Sequence, residues 1–208
     1  DGSLIAITYD TSGRVETLTQ TVASGVTRTT SISYATDHTL VTGPDGQVTK
    51  LSYDTQGRLT GIELPPAASG ATPQTVGFSY DPDGNLASVT DGRGATTTYQ
   101  YDANGNAVLV TDPNNNTVER TFDSSNRLIT ERLLGSDKHN SSAAHYSQYV
   151  YDAEGHLRYA VDASGSVVEY EYSAAGELLR EIAYPAHKFA VGATALTEAG
   201  MDAWVAGL

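Results

Sequence analysis

The sequence predicts an all-β fold built from consecutive antiparallel β-hairpins of about 21 residues each. Three observations carry this prediction. A template of aromatic, Asp, two small or polar residues, Gly, polar and apolar recurs along the chain, a second turn signal often follows ten residues later, and Thr, Val and Tyr fill the intervals. One hairpin cannot bury its apolar face alone, so neighbouring hairpins should join into one sheet that coils with its own twist. We therefore expect a coiled sheet or shell segment, followed by a short C-terminal helix.

The template occurs seven times, and its spacing sets the period. Tyr80, Tyr101 and Phe122 begin successive copies 21 residues apart. Tyr34 begins a degenerate copy between the first two. The seven copies are Tyr9–Val15, Tyr53–Leu59, Tyr80–Leu86, Tyr101–Ala107, Phe122–Leu128, Tyr151–Leu157 and Tyr172–Leu178.

Each position of the template has a physical role. A bulky residue two positions before the aromatic, such as Ile7 or Phe78, places two large side chains on one face of a strand. The Asp can accept a hydrogen bond from the backbone N–H two residues later, in an Asx turn, and the Gly supplies the positive φ that reverses the chain. Asn126 replaces the Gly in one copy, and Asn is the other residue that tolerates this conformation well.

A second turn follows the template Asp by ten residues in three of the periods. These turns are Asp91–Gly94, Asp112–Asn115 and Asp162–Gly165. Two turns in each period predict two short strands in each period. The apolar residues of the second strand have mixed parity, since Leu86 and Val89 would point to opposite faces of a regular strand. This mixture predicts either a β-bulge or burial on both faces.

Two insertions interrupt the period. Residues 62–76 are rich in Pro and Ala, which predicts a surface loop at one edge of the sheet. Residues 131–148 lengthen the local period from 21 to 29 residues and contain two of the five histidines. On this basis we assign residues 1–183 to the hairpin array and residues 184–208 to a tail.

The tail is expected to contain a short amphipathic helix. Thr197 is a suitable N-cap and Glu198 would lie in the first turn. Apolar residues then follow at helical spacing on one side: Met201, Trp204, Val205 and Leu208. The apolar side should pack on the array.

Composition excludes several classes of function. The chain has 25 acidic and 12 basic residues and a formal charge of −13, so we expect no nucleic-acid partner. The absence of cysteine excludes disulfides, a thiolate nucleophile and cysteine-based zinc sites. No run of about 20 apolar residues is present, so we expect no membrane insertion. The N-terminal residues do not have the pattern of a signal peptide, and we expect the chain to be a fragment of a longer protein.

The template aspartates are the first candidates for catalysis. Glycoside hydrolysis requires two carboxyl groups that converge across one cleft. Equivalent residues of a repeat lie in a row instead, and turn formation explains each of them separately. We therefore predict no catalytic residue and no enzyme activity. The residues concerned are Asp10, Asp54, Asp81, Asp102, Asp123 and Asp152.

Calcium binding is the principal alternative for two of the turns. Asp81, Asp83 and Asn85 place oxygen ligands at alternate positions, as an EF-hand loop does. Asp112, Asn114 and Asn116 repeat this spacing. The first loop has Gly92 at its twelfth position and the second has Thr117 where the turn glycine belongs, so neither loop is complete. We interpret both as turns and predict no metal site and no cofactor.

The histidines are scattered over turns and insertions without the spacing of a zinc site. They are His38, His139, His145, His156 and His187. Ser141 and Ser142 lie beside His139, but no third member of a hydrolase triad accompanies them. The tyrosines could form a platform for sugars, although packing between neighbouring strands explains them more simply. Trp204 is expected to anchor the helix.

The template, its 21-residue period and the intervening turns resemble the Rhs or YD-repeat family. This resemblance covers the chain from Tyr9 to about Ile182. Bacterial members include Rhs polymorphic toxins and the C components of insecticidal toxin complexes, and the YD repeats of teneurins are similar. The resemblance implies a strip of hairpins that spirals into a hollow shell around a C-terminal effector. The self-cleaving core that follows the repeats in toxin members has no counterpart between Asp1 and Leu208.

The resemblance implies a non-catalytic structural segment of a large bacterial protein that is secreted or exported to the cell surface. Its partners would be further repeats and the C-terminal effector of the parent chain. The alternative is an adhesin module that binds a glycan or a cell-surface protein through its outer face or its insertions. A downstream core with a variable C-terminal domain would favour the shell, and further repeats that end in a sorting signal would favour the adhesin.

Overall fold

The computed structural model describes residues 4–23, 25–68, 70–135 and 145–208. Over these residues the chain forms sixteen β-strands in one open sheet and one α-helix, α1 (Glu198–Ala206). Each strand is hydrogen-bonded to the strand before it and the strand after it in sequence, and the sheet is antiparallel. Strands β1 and β16 are therefore the two outer strands. This arrangement confirms the predicted fold class.

The chain divides into two compact units, Asp1–Thr96 and Thr97–Leu208. The strands of the first unit are β1 (Ile5–Tyr9), β2 (Val15–Ala23), β3 (Val26–Tyr34), β4 (His38–Thr42), β5 (Val48–Tyr53), β6 (Leu59–Glu63), β7 (Thr75–Tyr80) and β8 (Leu86–Thr90). The strands that follow are β9 (Thr96–Tyr101), β10 (Ala107–Thr111), β11 (Thr117–Phe122), β12 (Leu128–Leu134), β13 (His145–Tyr151), β14 (Leu157–Val161), β15 (Val167–Tyr172) and β16 (Leu178–Ala183).

A β-bulge beside the template turn explains the mixed parity of the second strands. In the β13–β14 hairpin Val150 lies opposite Tyr159, whereas Tyr151 lies opposite Leu157, so one strand contains an extra residue. The same shift in register occurs next to Tyr9, Tyr53, Tyr80, Phe122 and Tyr172. Because the bulge reverses which face each later side chain occupies, simple alternation from the turn fails.

The ladders extend further into both insertions than the composition predicts. Ile62 lies opposite Val76 and Glu63 lies opposite Thr75, so the loop is confined to residues 64–74. In the second insertion β12 continues to Leu134 and β13 begins at His145, with Leu133 opposite His145. The strands continue into segments whose composition predicts a loop, because the flanking hairpins already hold these strands side by side for backbone hydrogen bonding. Residues 136–144 lie outside the described residues.

The buried core lies in the second unit. It consists of side chains of β13, β14 and β15 with one residue of α1: Val150, Tyr159, Val161, Val167 and Met201. Six apolar side chains of the tail pack around this cluster: Tyr184, Phe189, Val191, Leu196, Trp204 and Val205. Most strand residues of the first unit are half-buried, and Thr39 is buried. The tail therefore supplies the apolar cover of one sheet face.

The structure confirms the helix of the tail and its N-cap. The side chain of Thr197 accepts a hydrogen bond from the backbone N–H of Gly200, and Glu198 lies in the first turn. Met201 is fully buried. The prediction for Leu208 was wrong, because the helix ends at Ala206 and the side chain of Leu208 is exposed.

Candidate functional site

The template turn is held by its aspartate. Asp10 Oδ1 accepts hydrogen bonds from the backbone N–H groups of Ser12 (2.8 Å) and Arg14 (2.9 Å). The backbone N–H of Gly13 bonds to the carbonyl of Asp10, with Gly13 at φ 78°. This is a type I turn followed by a left-handed residue, the common closure of a hairpin that contains a bulge. The Asx turn predicted from the sequence is thus confirmed.

The residue after the glycine completes the turn with its side chain. Arg14 Nε donates to Asp10 Oδ2 at 2.8 Å, and Arg58 and Arg127 do the same to Asp54 and Asp123 at 2.7 Å. Asn85, Asn106 and His156 occupy this position in other copies and contact the second carboxylate oxygen of their own Asp. In Asp54 the hydrogen bond from the backbone of Arg58 is the largest influence that lowers the carboxyl pKa below 3.8.

The tyrosine of the next repeat binds this completed turn. Arg58 Cζ lies 4.5 Å from the ring centroid of Tyr80, and the Tyr80 hydroxyl donates to the carbonyl of Leu59 at 2.8 Å. We call this contact the repeat joint: the ring of a template tyrosine packs on the side chain after the turn glycine of the preceding hairpin, and its hydroxyl bonds to the next carbonyl of that hairpin. It combines a cation–π interaction with a hydrogen bond to a backbone carbonyl.

Tyrosines of other copies in the described part of the chain form the same repeat joint. Tyr34 packs on Arg14, Tyr151 on Arg127, and Tyr172 stacks on the His156 ring with centroids 4.6 Å apart. The three hydroxyls donate at 3.0–3.1 Å to the carbonyls of Val15, Leu128 and Leu157 respectively. Tyr34 therefore makes the same contacts as the template tyrosines, which agrees with its interpretation as the start of a degenerate copy.

Two copies depart from the template, and their contacts change accordingly. Phe122 has no hydroxyl, and here Asn106 Nδ2 donates to Asn126 Oδ1 of the following turn at 2.9 Å. Ser173 replaces the template Asp, and its Oγ accepts from the backbone N–H groups of Ala175 and Glu177. Asn126 has φ 60°, as predicted for the residue that replaces Gly. The turn therefore tolerates substitutions that preserve an acceptor and a positive φ.

The tail is fixed to the sheet by buried polar contacts. Tyr159 Oη donates to Asp202 Oδ1 at 2.5 Å, and Gln148 Nε2, fully buried, donates to the Thr194 carbonyl at 2.6 Å. The Tyr184 hydroxyl donates to Glu169 Oε2. Burial, together with this hydrogen bond and the charge of Glu169, raises the pKa of Tyr184 to about 12.

The chain of the tail also approaches the sheet very closely at one glycine. Phe189 N–H donates to the Gly165 carbonyl at 2.8 Å, and a Cβ on Gly165 would lie 2.3 Å from the Phe189 carbonyl oxygen. Gly165 also has φ 78°. Only glycine therefore satisfies both the turn and the tail at this position.

An open acidic cleft of about 550 Å³ lies beside the start of α1. Asp152, Glu154, Glu171 and Glu198 line it together with Arg158. Most of these charges already have partners within the protein. Arg158 Nη2 lies 2.8 Å from Glu169, and Glu171 binds Arg180 at 2.6 Å. Burial raises the pKa of Glu198, and the charges of Asp202 and Asp152 raise it further.

The structure does not bring the predicted candidates for chemistry together. Each template aspartate binds within its own turn, and among the described residues no group of three or more His, Asp or Glu side chains could hold a metal ion. Both oxygens of Asp81 bind Asn85, and both oxygens of Asp112 bind Asn116. The interpretation of these loops as turns is therefore supported by hydrogen bonds within each loop.

The four histidines among the described residues occupy separate positions. His38 Nδ1 bonds to Asp37 at 2.7 Å, His145 begins β13, and the backbone N–H of His187 bonds to the Tyr184 carbonyl. His156 has a structural role in a repeat joint, which the sequence reasoning missed. The signal was available, because the residue after the turn glycine is Arg, Asn or His in most copies. His139, Ser141 and Ser142 lie outside the described residues.

The comparisons with known proteins agree with this geometry. The model of the RHS repeat family matches residues 35–65, 80–117, 101–134 and 151–188, which together cover more than half of the chain. The chain belongs to the RHS repeat family. A comparison with curated proteins finds no match.

Two crystal structures illustrate the likeness in fold. A chain of the TcdB2–TccC3–Cdc42 structure has a TM-score of 0.64 and 16% identity, over 88% of this chain and 11% of that chain. A chain of the TcdB2–TccC3–TEV structure has a TM-score of 0.52 and 14% identity, over 98% of this chain and 12% of that chain. The chain thus spans about one ninth of the length of these neighbours. No helix in the described ranges is long and apolar enough to cross a lipid bilayer.

Proposed function

We propose that this RHS repeat array is a wall segment of a β-sheet shell in a longer bacterial protein, and that the shell encloses or presents a C-terminal effector. The repeat joint carries the proposal. At Tyr80 and Tyr151, for example, it fixes a hairpin to the one before it through a side chain and a backbone carbonyl, so the array can extend without a separate core in each repeat. The likeness to chains in assemblies with TcdB2 and TccC3 supports a wall role in a larger particle.

The segment is a mechanical element in this proposal and performs no catalysis. Its carboxylates and the cations beside them serve the turns, as the Asp54–Arg58 and Asp123–Arg127 pairs illustrate. The hairpin array over residues 1–183 forms the wall, and the tail over residues 184–208 is attached to one face. We place the parent protein outside the cell or at its surface, with further repeats and the effector as partners and without nucleic acid or membrane insertion.

Protease protection of the parent chain tests the enclosure. The parent is expressed, its intact mass is measured, and its digestion by a protease of broad specificity is followed by mass spectrometry. If the wall encloses the effector, the C-terminal segment survives digestion and co-purifies with the repeats. Immediate digestion of that segment, with no retained fragment, contradicts enclosure and favours the adhesin.

A matched pair of variants separates enclosure from intrinsic stability of the effector. Tyr80→Ala removes the ring and hydroxyl from one repeat joint, whereas Tyr80→Phe keeps the ring on Arg58. The Ala variant should accelerate digestion of the C-terminal segment strongly, and the Phe variant, which loses only the hydrogen bond to the Leu59 carbonyl, should accelerate it less. Equal digestion rates in all three proteins would show that this wall does not protect the segment.

A further inference from the structure

The β2–β3 hairpin projects beyond the strand that follows it. Strands β2 and β3 each contain nine residues, whereas β4 contains five. The ladder between β3 and β4 ends at the pair Ser31 and Thr42. Residues 27–30 of β3 therefore lie past the end of β4, and at about 3.3 Å per residue they extend roughly 13 Å.

The β4–β5 turn explains why β4 stops at this point. After β4 the backbone N–H of Gly43 donates to the carbonyl of Gln47 at 2.8 Å, and this bond turns the chain into β5. If the register of β3 and β4 continued, Thr29 would lie opposite Pro44, and proline has no N–H to donate. Residues within the chain therefore specify that this side of β3 is left without a neighbouring strand.

The backbone groups of Thr27 and Thr29 face the open side of β3. Along a strand between two antiparallel neighbours, successive residues bond alternately to one neighbour and to the other. The N–H of Thr21 on β2 donates to the Leu4 carbonyl at 3.0 Å, on the side of β1. Thr21 lies opposite Thr27, and Thr19 lies opposite Thr29. The N–H and C=O groups of Thr27 and Thr29 consequently point away from β2, toward the side that β4 does not reach.

The side chains on this stretch of β3 indicate which strand could pair with it. Arg28 is exposed, no acidic side chain of the described residues forms an ion pair with it, and Gln20 opposite it on β2 carries no charge. Val26, two positions away on the same face, is 53% exposed. The backbone of Arg28 bonds toward β2, so a strand added on the open side would form a non-hydrogen-bonded pair with it, in which side chains approach most closely. An acidic residue opposite Arg28 and an apolar residue opposite Val26 would complement this face.

We propose that the open side of β3 binds an extended segment of another polypeptide as an added antiparallel strand, with an acidic residue opposite Arg28 and an apolar residue opposite Val26. The N–H and C=O groups of Thr27 and Thr29 supply the backbone hydrogen bonds, and the two side chains supply the selectivity. The acidic template turns flank the other end of the hairpin, so Arg28 determines the local charge. The interaction is independent of the enclosed effector, because the repeat joint between Val15 and Tyr34 also lies at that other end.

A short fluorescent peptide tests the proposal by anisotropy. The probe is Thr-Thr-Glu-Thr-Val with fluorescein at its N-terminus, which places Glu opposite Arg28 and Val opposite Val26. The control peptide is Thr-Thr-Glu-Val-Thr, in which Glu and Val are adjacent and cannot share a face in any register. We expect the probe to bind the wild-type chain saturably, at least about threefold more tightly than the control.

A charge exchange tests the contact with Arg28. Arg28→Glu should weaken binding of the Glu peptide by about three- to tenfold, because like charges then lie opposite each other. The peptide Thr-Thr-Lys-Thr-Val should bind Arg28→Glu more tightly than it binds the wild type. If this exchange of charges does not restore binding, Arg28 does not pair with the added strand and the proposal is overturned.

A matched pair at Thr29 tests the backbone hydrogen bonds. Thr29→Pro removes the N–H that faces the open side, where proline is tolerated because the ladder to β2 does not use that donor. Thr29→Val keeps the N–H and loses only the hydroxyl that contacts Thr19. Binding of the Glu peptide should be at least about tenfold weaker in Thr29→Pro and nearly unchanged in Thr29→Val, with unchanged far-UV circular dichroism in both.

Two other results would overturn the proposal. One is the absence of saturable binding of the Glu peptide to the wild-type chain at millimolar peptide. The other is equal binding of that peptide to Thr29→Pro and Thr29→Val, since this would show that the peptide does not extend the ladder of β3.

Discussion

Removal of the Met201 side chain should release the tail from the sheet before the sheet unfolds. Met201 is fully buried among Val150, Tyr159, Val161 and Val167, so Met201→Ala leaves a cavity beneath α1. Substitutions of this kind cost about 2–5 kcal/mol, which corresponds to at least a roughly 30-fold increase in the undocked fraction. Alanine is the best helix former, so the loss comes from packing and not from the propensity of α1 to form a helix.

The single tryptophan of the chain reports this event. Trp204 packs edge-on against Tyr184 and Phe189, with ring centroids 5.8 and 5.7 Å apart. Denaturant titrations are followed by Trp204 fluorescence for the tail and by far-UV circular dichroism for the strands. In Met201→Ala the fluorescence midpoint should move to lower denaturant, while the strand midpoint moves little.

A volume-conserving substitution provides the control. Met201→Leu keeps an apolar side chain of similar size and should cost less than about 1.5 kcal/mol. An unchanged fluorescence midpoint in Met201→Ala would contradict this prediction. It is also refuted if both probes move together by the same amount, because the tail and the array would then unfold as one unit.

Four further predictions concern single groups. Tyr151→Phe removes the donor to the Leu128 carbonyl and should cost about 0.5–1.5 kcal/mol in urea titration; an unchanged midpoint would mean that the ring alone makes the joint. Gly57→Ala, at φ 79° with open space around the new Cβ, should cost about 1–2 kcal/mol from backbone strain, which calorimetry would detect as a lower Tm. Because the pKa of Asp54 is lowered, its ionised carboxylate stabilises the fold above pH 3.8, and this stabilisation is lost as pH falls through the folded pKa. Asp54→Asn should therefore lose less stability than the wild type in an acid titration. The pKa of Tyr184 is raised, so its protonated hydroxyl stabilises the fold below pH 10.0, and this stabilisation is lost as pH rises toward 12. Tyr184→Phe should not show this loss of stability at alkaline pH, in a titration followed by Trp204 fluorescence.

Local chemistry made the hairpins and turns predictable. Asp10 and Gly13 act within one turn, so the identities of a few neighbouring residues were enough to predict the Asx turn and the positive φ. Asn126 follows the same logic, because tolerance of positive φ is a property of the single residue. The helix start at Thr197 is likewise a local signal.

The sequence indicated only one of the two partners in the repeat joint. The recurring tyrosines indicated packing between strands, but the partner of each ring is the residue after the glycine of the previous repeat. That residue is Arg58 for Tyr80 and His156 for Tyr172. The pairing depends on the register between hairpins, in which Gly61 lies opposite Gly77 and Tyr159 opposite Glu169, and no single repeat specifies that register.

The sequence by itself determined the strand order, the turns and the capped helix, because each depends on contacts between residues near in the chain. Only the tertiary structure decided which face of the sheet the tail covers. Gln148 and Thr194 are 46 positions apart, and Tyr159 and Asp202 are 43 apart. Contacts over such separations depend on the path of the whole backbone, which no local pattern of residues specifies.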